Sequence, residues 1–349
     1  MSYIERQYIL SERAHFMCPN MHFGILVRIS AAYSSERANA VLELLAQAHP
    51  FLRSVVARED AEKLYYAVGE KSRIEASERD MPQTLWSDYA EIGRPNWNVF
   101  ESGLLKVVLY PDADGFQVLF IAHHLLGDGR AIASLACEFA EAYAGKKAPV
   151  AVEERLIRSM DDLPSGSALT RMNRFLMHWA NKCWAKGKES VTYEEYATFA
   201  ARFTAENPVE HRLSSLKQPE TDKLLGLCKE NGISINDLLL ARLFRASGAR
   251  KVIIAADIRR FLKSYSSSAL GNYASAIGVA APHGGDLIKN AQALHRQVKR
   301  CIGDNRKLML ILACYLTLTP SLTETAAIAT LGGFHSKAER QLNIMVGRE

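Results

Sequence analysis

Residues 119–129 read Leu-Phe-Ile-Ala-His-His-Leu-Leu-Gly-Asp-Gly, an apolar run that ends in two adjacent histidines and then turns at Gly127-Asp128-Gly129. A neutral imidazole accepts a proton near neutral pH, which is what a general base must do. A positioned base contributes roughly 10²- to 10⁴-fold in rate. Successive side chains on a strand point to opposite faces, so His123 and His124 cannot both face one pocket. One is expected to look inward, the other into a cleft. Asp128 follows closely. It could orient His124, be turned away by the flanking glycines, or simply cap the helix that follows. A metal site built from His123, His124 and Asp128 is a further use, disfavoured because adjacent histidines diverge and no other ligand cluster is evident. The chain has no G-x-S-x-G nucleophile elbow, which favours direct attack by an acceptor over a covalent acyl-enzyme.

The elements that must position these residues are legible around them. Leu104–Tyr110 and Phe116–Ala122 read as a hairpin joined through Pro111-Asp112-Ala113-Asp114-Gly115, where proline presets one dihedral and glycine accepts a positive φ. A helix is predicted from Arg130 to Ala144, with Ile132, Leu135, Ala136, Phe139 and Tyr143 on one face and Gly145 as its stop. Upstream, residues 22–30 read as a strand. Ser34 or Ser35 then caps a helix bearing Ala38, Val41, Leu42, Leu45 and Ala46. His49-Pro50 ends it, and short strands follow at 55–57 and 64–68.

Residues 146–190 change character, with Lys146-Lys147, Pro149 and Pro164-Ser165-Gly166 marking a crossover. Inside it, 169–186 carries Met172, Phe175, Leu176 and Trp179 beside Arg171, Arg174, Lys182 and Lys186. The favoured reading is a helix packed on the body with a solvated basic face, the alternative being contact with a membrane or an acidic carrier. The second half reads as a strand near 211–216, a helix at 220–230, a capping box at Ser234–Asp237 opening a buried helix, a short buried strand at 252–256, a polar loop at 264–268 and a helix at 286–301. Residues 341–346 read as a final strand.

The bulk composition narrows the field. A chain of 349 residues suits two ordinary domains, and 48% hydrophobic with 23% charged residues is globular. A net charge of +5, spread along the chain, argues against nucleic acid. The six cysteines show no metal-type spacing and read as free thiols of a reducing compartment. No signal peptide opens the chain, and its longest apolar stretch, 308–318, is too short to span a bilayer. The expected location is the cytoplasm.

His123-His124-Leu-Leu-Gly-Asp128-Gly129 resembles the H-H-x-x-x-D-G signature of the condensation-domain superfamily. That group includes nonribosomal peptide synthetase condensation domains, chloramphenicol acetyltransferase, alcohol and wax-ester acyltransferases and plant BAHD acyltransferases. Further likeness lies in His49-Pro-Phe-Leu-Arg53, in the 232–241 helix start, in Asp257-Ile-Arg259 and in Leu270-Gly271-Asn272-Tyr273, all in the family's order. The resemblance implies an α/β fold of two chloramphenicol-acetyltransferase-like subdomains in a V, mixed sheets with flanking helices, and a tunnel between them. Subdomains are expected at 1–150 and 191–349, the second shortened at its end because no D-F-G-W-G element follows, with a linker at 151–190. His124 would be the catalytic base or a positioner of the acceptor. His123 would be structural. Asp128 would turn away and pair with Arg259, Gly129 would keep the donor channel open, and Gly127 and Asn272 would bind substrate. The implied activity is acyl transfer from a thioester to a hydroxyl or amine. The donor would be coenzyme A or the phosphopantetheine arm of an acyl or peptidyl carrier protein, with no permanently bound cofactor and no metal. A catalytically inactive module that binds a carrier or a small ligand is the alternative.

Overall fold

The computed structural model describes residues 5–80, 85–93, 97–187, 190–212, 214–262 and 265–332. The first half runs β1 (Glu5–Tyr8), α1 (Arg13–Phe16), β2 (His22–Ile29), α2 (Ser35–Ala48), β3 (Ser54–Arg58), β4 (Leu64–Val68), β5 (Glu75–Glu78), α3 (Leu85–Gly93), β6 (Leu105–Asp112), β7 (Gly115–His123) and α4 (Gly129–Tyr143). After the crossover come α5 (Arg171–Gly187), α6 (Tyr193–Glu206), α7 (Gln218–Glu230), α8 (Ile235–Ser247), β8 (Lys251–Asp257), β9 (Ala274–Ala280), α9 (Leu287–Ile302), α10 (Asn305–Leu308), α11 (Leu310–Tyr315) and α12 (Pro320–Ala329). The strand expected at 341–346 lies outside the described residues.

Strand β7 is central to a sheet ordered β2-β7-β6-β5, antiparallel except for the β5–β6 pair. Its register sets His22 opposite His123 and Leu105 opposite Ala122. Helices α2 and α4 pack together beside it. Ser34 caps α2 by accepting from Arg37 N, and Ala38, Val41, Leu42, Leu45 and Ala46 are buried as the periodicity requires. Fully burying a Val or Leu side chain is worth about 1.5–3 kcal/mol, so this one stripe outweighs the weak helix propensity of a fourteen-residue segment. The hairpin turn is tighter than the sequence suggests. Pairing continues through Pro111↔Phe116 and Asp112↔Gly115, leaving Ala113-Asp114 as the turn. Proline is tolerated there because it sits at the strand's end. Gly115 is required by a close approach, since a Cβ on it would stand 2.2 Å from the Ile29 carbonyl oxygen.

The second half builds a smaller core on a two-stranded sheet, β8–β9. Leu238, Ala241 and Phe244 of α8 and Ala291 and Leu294 of α9 cover one side with Val279. Ile157, Leu163 and Leu169 of the crossover join Ile277, Leu308 and Leu312 in another cluster. Three expectations fail here. β8 is not a buried strand: its residues alternate, and Ile253 is 67% exposed, because only one face of the small sheet is covered. The described residues of 211–216 form no strand. They are exposed. Nor does the chain divide at residue 190: Val191 and Tyr196, Phe199 and Ala200 of α6 are buried in the first half's core. Helix α12 returns to that half as well, where Glu324 pairs with Arg13 at 2.7 Å and Arg58 at 2.9 Å. The apolar face of α6 thus belongs to the core that has room for it, whatever its place in the sequence.

Candidate active site

Past the end of β7 the ladder towards β2 continues by one hydrogen bond, His124 N donating to Met21 O at 2.7 Å, as the chain enters a turn. The two imidazoles therefore diverge. His123 is buried, stands edge-on to Trp97 at 5.6 Å, and accepts at Nδ1 from Leu125 N at 3.2 Å. Burial, then the neighbouring His15 and His22, push its pKa down to about 3, so it stays neutral. It borders a cavity of 210 Å³ shared with Cys18, His22, Trp97, Tyr193 and Tyr196. This inward histidine is not packed solid, which the strand periodicity did not foretell.

His124 is partly exposed. Its Nδ1 lies 2.9 Å from Asn272 Oδ1, and Asn272 Nδ2 donates to the His124 carbonyl oxygen at 2.7 Å. The second bond fixes the amide orientation, because a carbonyl oxygen can only be met by the NH₂ group. The amide oxygen must then face the imidazole, so Nδ1 carries the proton and Nε2 keeps its lone pair. One side of the ring stacks on His15, at 4.4 Å between centroids and 17° between planes, and Phe23 approaches at 5.3 Å and 62°. Burial, then the charge His124 would carry, lower the His15 pKa to about 3. His15 is thus a neutral aromatic platform, and its Nδ1 has no hydrogen-bond partner among the described residues.

Asp128 does not orient His124. Its carboxylate receives both terminal nitrogens of Arg259 at 2.9 Å, a bidentate pair, with both side chains nearly buried. It also caps α4 by accepting from Arg130 N and Ala131 N, and accepts from Tyr273 N at 3.0 Å. The capping role read from the sequence and the arginine pairing implied by the resemblance are therefore both present in one side chain. Since Asp128 is committed to Arg259 and the two histidines diverge, the three residues do not converge on a point a metal could occupy.

The glycines divide. Gly127 fits where the halves meet: a Cβ there would come within 3.0 Å of Gly271 N and of Ala131 Cβ. Asp128 N donates to Gly271 O at 3.2 Å across the same contact. Gly127, expected at the substrate, allows two backbones to approach. A Cβ on Gly129 would meet no heavy atom within 4 Å, and the residue is exposed at the start of α4. Asn272, also expected at the substrate, spends both ends of its amide on His124. Sequence reasoning missed His15 and Phe23 altogether. His15 lies on a four-residue helix far upstream, with no motif around it.

Glu154 of the crossover underpins the arrangement from below. Its buried carboxylate accepts from Phe51 N at 2.6 Å and Leu270 N at 3.1 Å, and meets His49 Nδ1 at 2.9 Å. It thereby ties the Leu270–Tyr273 loop, and so Asn272, to the first half. His49 Nε2 meets Glu138 at 2.8 Å on the other side. Burial alone would lower the His49 pKa, but the two carboxylates outweigh it and raise the value.

No family model matches the sequence, and no curated protein sequence is similar to it. Solved structures are. The first condensation domain of the calcium-dependent antibiotic synthetase, in complex with a substrate analogue, superposes with a TM-score of 0.58 at 13% identity, covering 89% of this chain and 77% of that one. Polyketide synthase associated protein 5 from Mycobacterium tuberculosis gives 0.56 at 14% identity over 92% and 76%. The epimerization domain from the third module of tyrocidine synthetase B gives 0.53 at 15% over 91% and 78%. A mixed α/β chain with a histidine at the end of a central strand and a loop of the second half closing on it thus has the condensation-domain fold. That is the fold which the resemblance of the motif led us to expect.

Proposed function

We propose that this chain is an acyltransferase that moves an acyl group from a thioester to a hydroxyl or amine acceptor, with His124 as general base. The observation that carries the reading is the clamp by Asn272, which leaves His124 Nε2 as the unprotonated nitrogen. As the acceptor oxygen or nitrogen bonds to the thioester carbonyl carbon, its proton passes to Nε2. The tetrahedral intermediate then expels the thiolate, which recovers that proton as the C–S bond breaks. No acyl-enzyme forms. His123 keeps the strand end in shape, and the Asp128–Arg259 pair holds the loop from which His124 projects. The donor is an acyl group on coenzyme A or on a carrier's phosphopantetheine arm, and Gly129 borders the space the arm would cross. The structural neighbours, several of them condensation domains, support the same class. We place the reaction in the cytoplasm.

The test is a panel of acyl-coenzyme A donors and loaded carrier proteins with thiol release as readout. His124→Ala is expected to lower turnover roughly 10²- to 10⁴-fold with an unchanged unfolding transition. Undiminished thiol release in this variant removes His124 from the chemistry. Tight binding of a loaded carrier without any turnover by the wild type favours the inactive docking module instead.

A further inference from the structure

Helix α5, in the segment that joins the two halves, carries a face the fold leaves uncovered. Its inner side is secured: Ala180 and Trp184 are buried, Trp184 Nε1 donates to Ser321 Oγ at 2.9 Å, and Asn181 Nδ2 donates to Thr317 O at 2.9 Å. On the opposite side Met172 is 65% exposed, Phe175 64% and Trp179 37%. At 3.6 residues per turn these three line up along one face, and Lys182 and Lys186 continue the same line. Arg171 and Arg174 stand at its amino end, and the helix contains no acidic residue from Arg171 to Gly187. A scattered exposed apolar side chain is ordinary, but a row of Met, Phe and Trp bordered by cations marks a surface that meets something.

We propose that α5 lies in the plane of an anionic lipid surface. Met172, Phe175 and Trp179 enter the boundary between headgroups and acyl chains, and Arg171, Lys182 and Lys186 meet the lipid phosphates and carboxylates. The charge pattern selects this occupant. The helix carries Arg, Lys and His and no carboxylate, and its apolar face offers no acceptor through which a folded partner would fix its register. The contact is peripheral: among the described residues no helix is long and apolar enough to cross a membrane. An acyltransferase so placed would meet acceptors that partition into lipid, but the docking surface stands whether or not the acyl-transfer reading holds.

The experiment is sedimentation of the full chain with extruded vesicles, either phosphatidylcholine alone or phosphatidylcholine with about one third phosphatidylserine. Each basic residue near such a surface is worth roughly fivefold in partitioning. Lys182→Glu/Lys186→Glu is therefore expected to weaken binding to the serine-containing vesicles by at least about 25-fold, and Met172→Ser/Phe175→Ser to abolish it. Both double variants are expected to melt as the wild type does, since the substituted side chains are exposed. Absence of binding to the anionic vesicles overturns the proposal, as does binding that both double variants retain. Capture of an acidic, phosphopantetheine-bearing carrier protein, lost in the same variants and without vesicle binding, replaces the lipid by a protein partner and overturns it too.

Discussion

Asn272→Ala separates two accounts of one residue. The sequence resemblance sets Asn272 at the substrate; the geometry sets it on His124, with Oδ1 2.9 Å from Nδ1 and Nδ2 2.7 Å from the histidine's own carbonyl oxygen. In the ground state the Nδ1–H···O bond joins neutral partners. In the proposed reaction Nε2 takes the acceptor's proton, whereupon the imidazole is cationic and the bond becomes charge-assisted. Hydrogen bonds to charged groups are worth about 1.5–3 kcal/mol. Much of that is felt in the transition state, which corresponds to a loss of roughly 10- to 150-fold in kcat. KM should move little, because no substrate contact is removed. The decisive measurement is the double-mutant cycle with His124→Ala. If Asn272 acts through the imidazole, Asn272→Ala costs nothing further once His124 is gone. An equal loss in both backgrounds, or a rise in KM at constant kcat, refutes the clamp and returns Asn272 to the substrate.

Three further outcomes follow from the same geometry. Arg259→Met leaves the Asp128 carboxylate nearly buried and uncompensated, so unfolding in urea should show a loss of about 3–5 kcal/mol at unchanged m-value; a loss under about 1 kcal/mol would mean the pair does not hold the loop. His15→Phe keeps an aromatic face against His124 and should leave kcat nearly intact, whereas His15→Ala removes the stack and should lower kcat about two- to tenfold. For His49 the folded pKa is raised above the 6.5 of the free side chain, so the protonated form binds more tightly in the native state. Its contribution is fully present below pH 6.5 and is lost as pH rises through the folded value. The urea midpoint of the wild type should fall over that interval, and His49→Gln should flatten the fall; an unchanged slope in the variant would exclude the linkage.

What could be read from the sequence was what is encoded locally. The caps at Ser34 and Ser234, the stripe of α4 and the hairpin before His123 are fixed by residues within one or two turns of each other, and the structure contains all of them. The motif also disclosed that its two histidines would part. The assignments that failed depend on distant partners. Whether an apolar segment such as 252–256 is buried depends on whether another layer comes to cover it, and whether 211–216 pairs as a strand depends on a partner elsewhere in the chain. Helix α6 sits with the first half because that core offers its aromatic face a place, which no local signal states. The same holds for the site. His15 reaches His124 from a short helix with no sequence signature, and Gly127 is explained only by how close Gly271 comes.

The proposed chemistry therefore belongs to the junction between the halves, though the motif lies wholly in one of them. Asn272 is 148 residues from His124 and Arg259 is 131 from Asp128. Without the second half, the strand end would still present two imidazoles. Nothing would then decide which nitrogen of His124 holds the proton, and Asp128 would face no cation. The loop that supplies Asn272 is itself held by Glu154, through Leu270 N, and by Asp128, through Tyr273 N. Docking of the halves and selection of the reactive tautomer are consequently one event. A substitution that loosens the junction anywhere along Glu154, Asp128 or Gly127 should lower activity before it unfolds the chain, because the imidazole loses its assigned proton when the Leu270–Tyr273 loop withdraws.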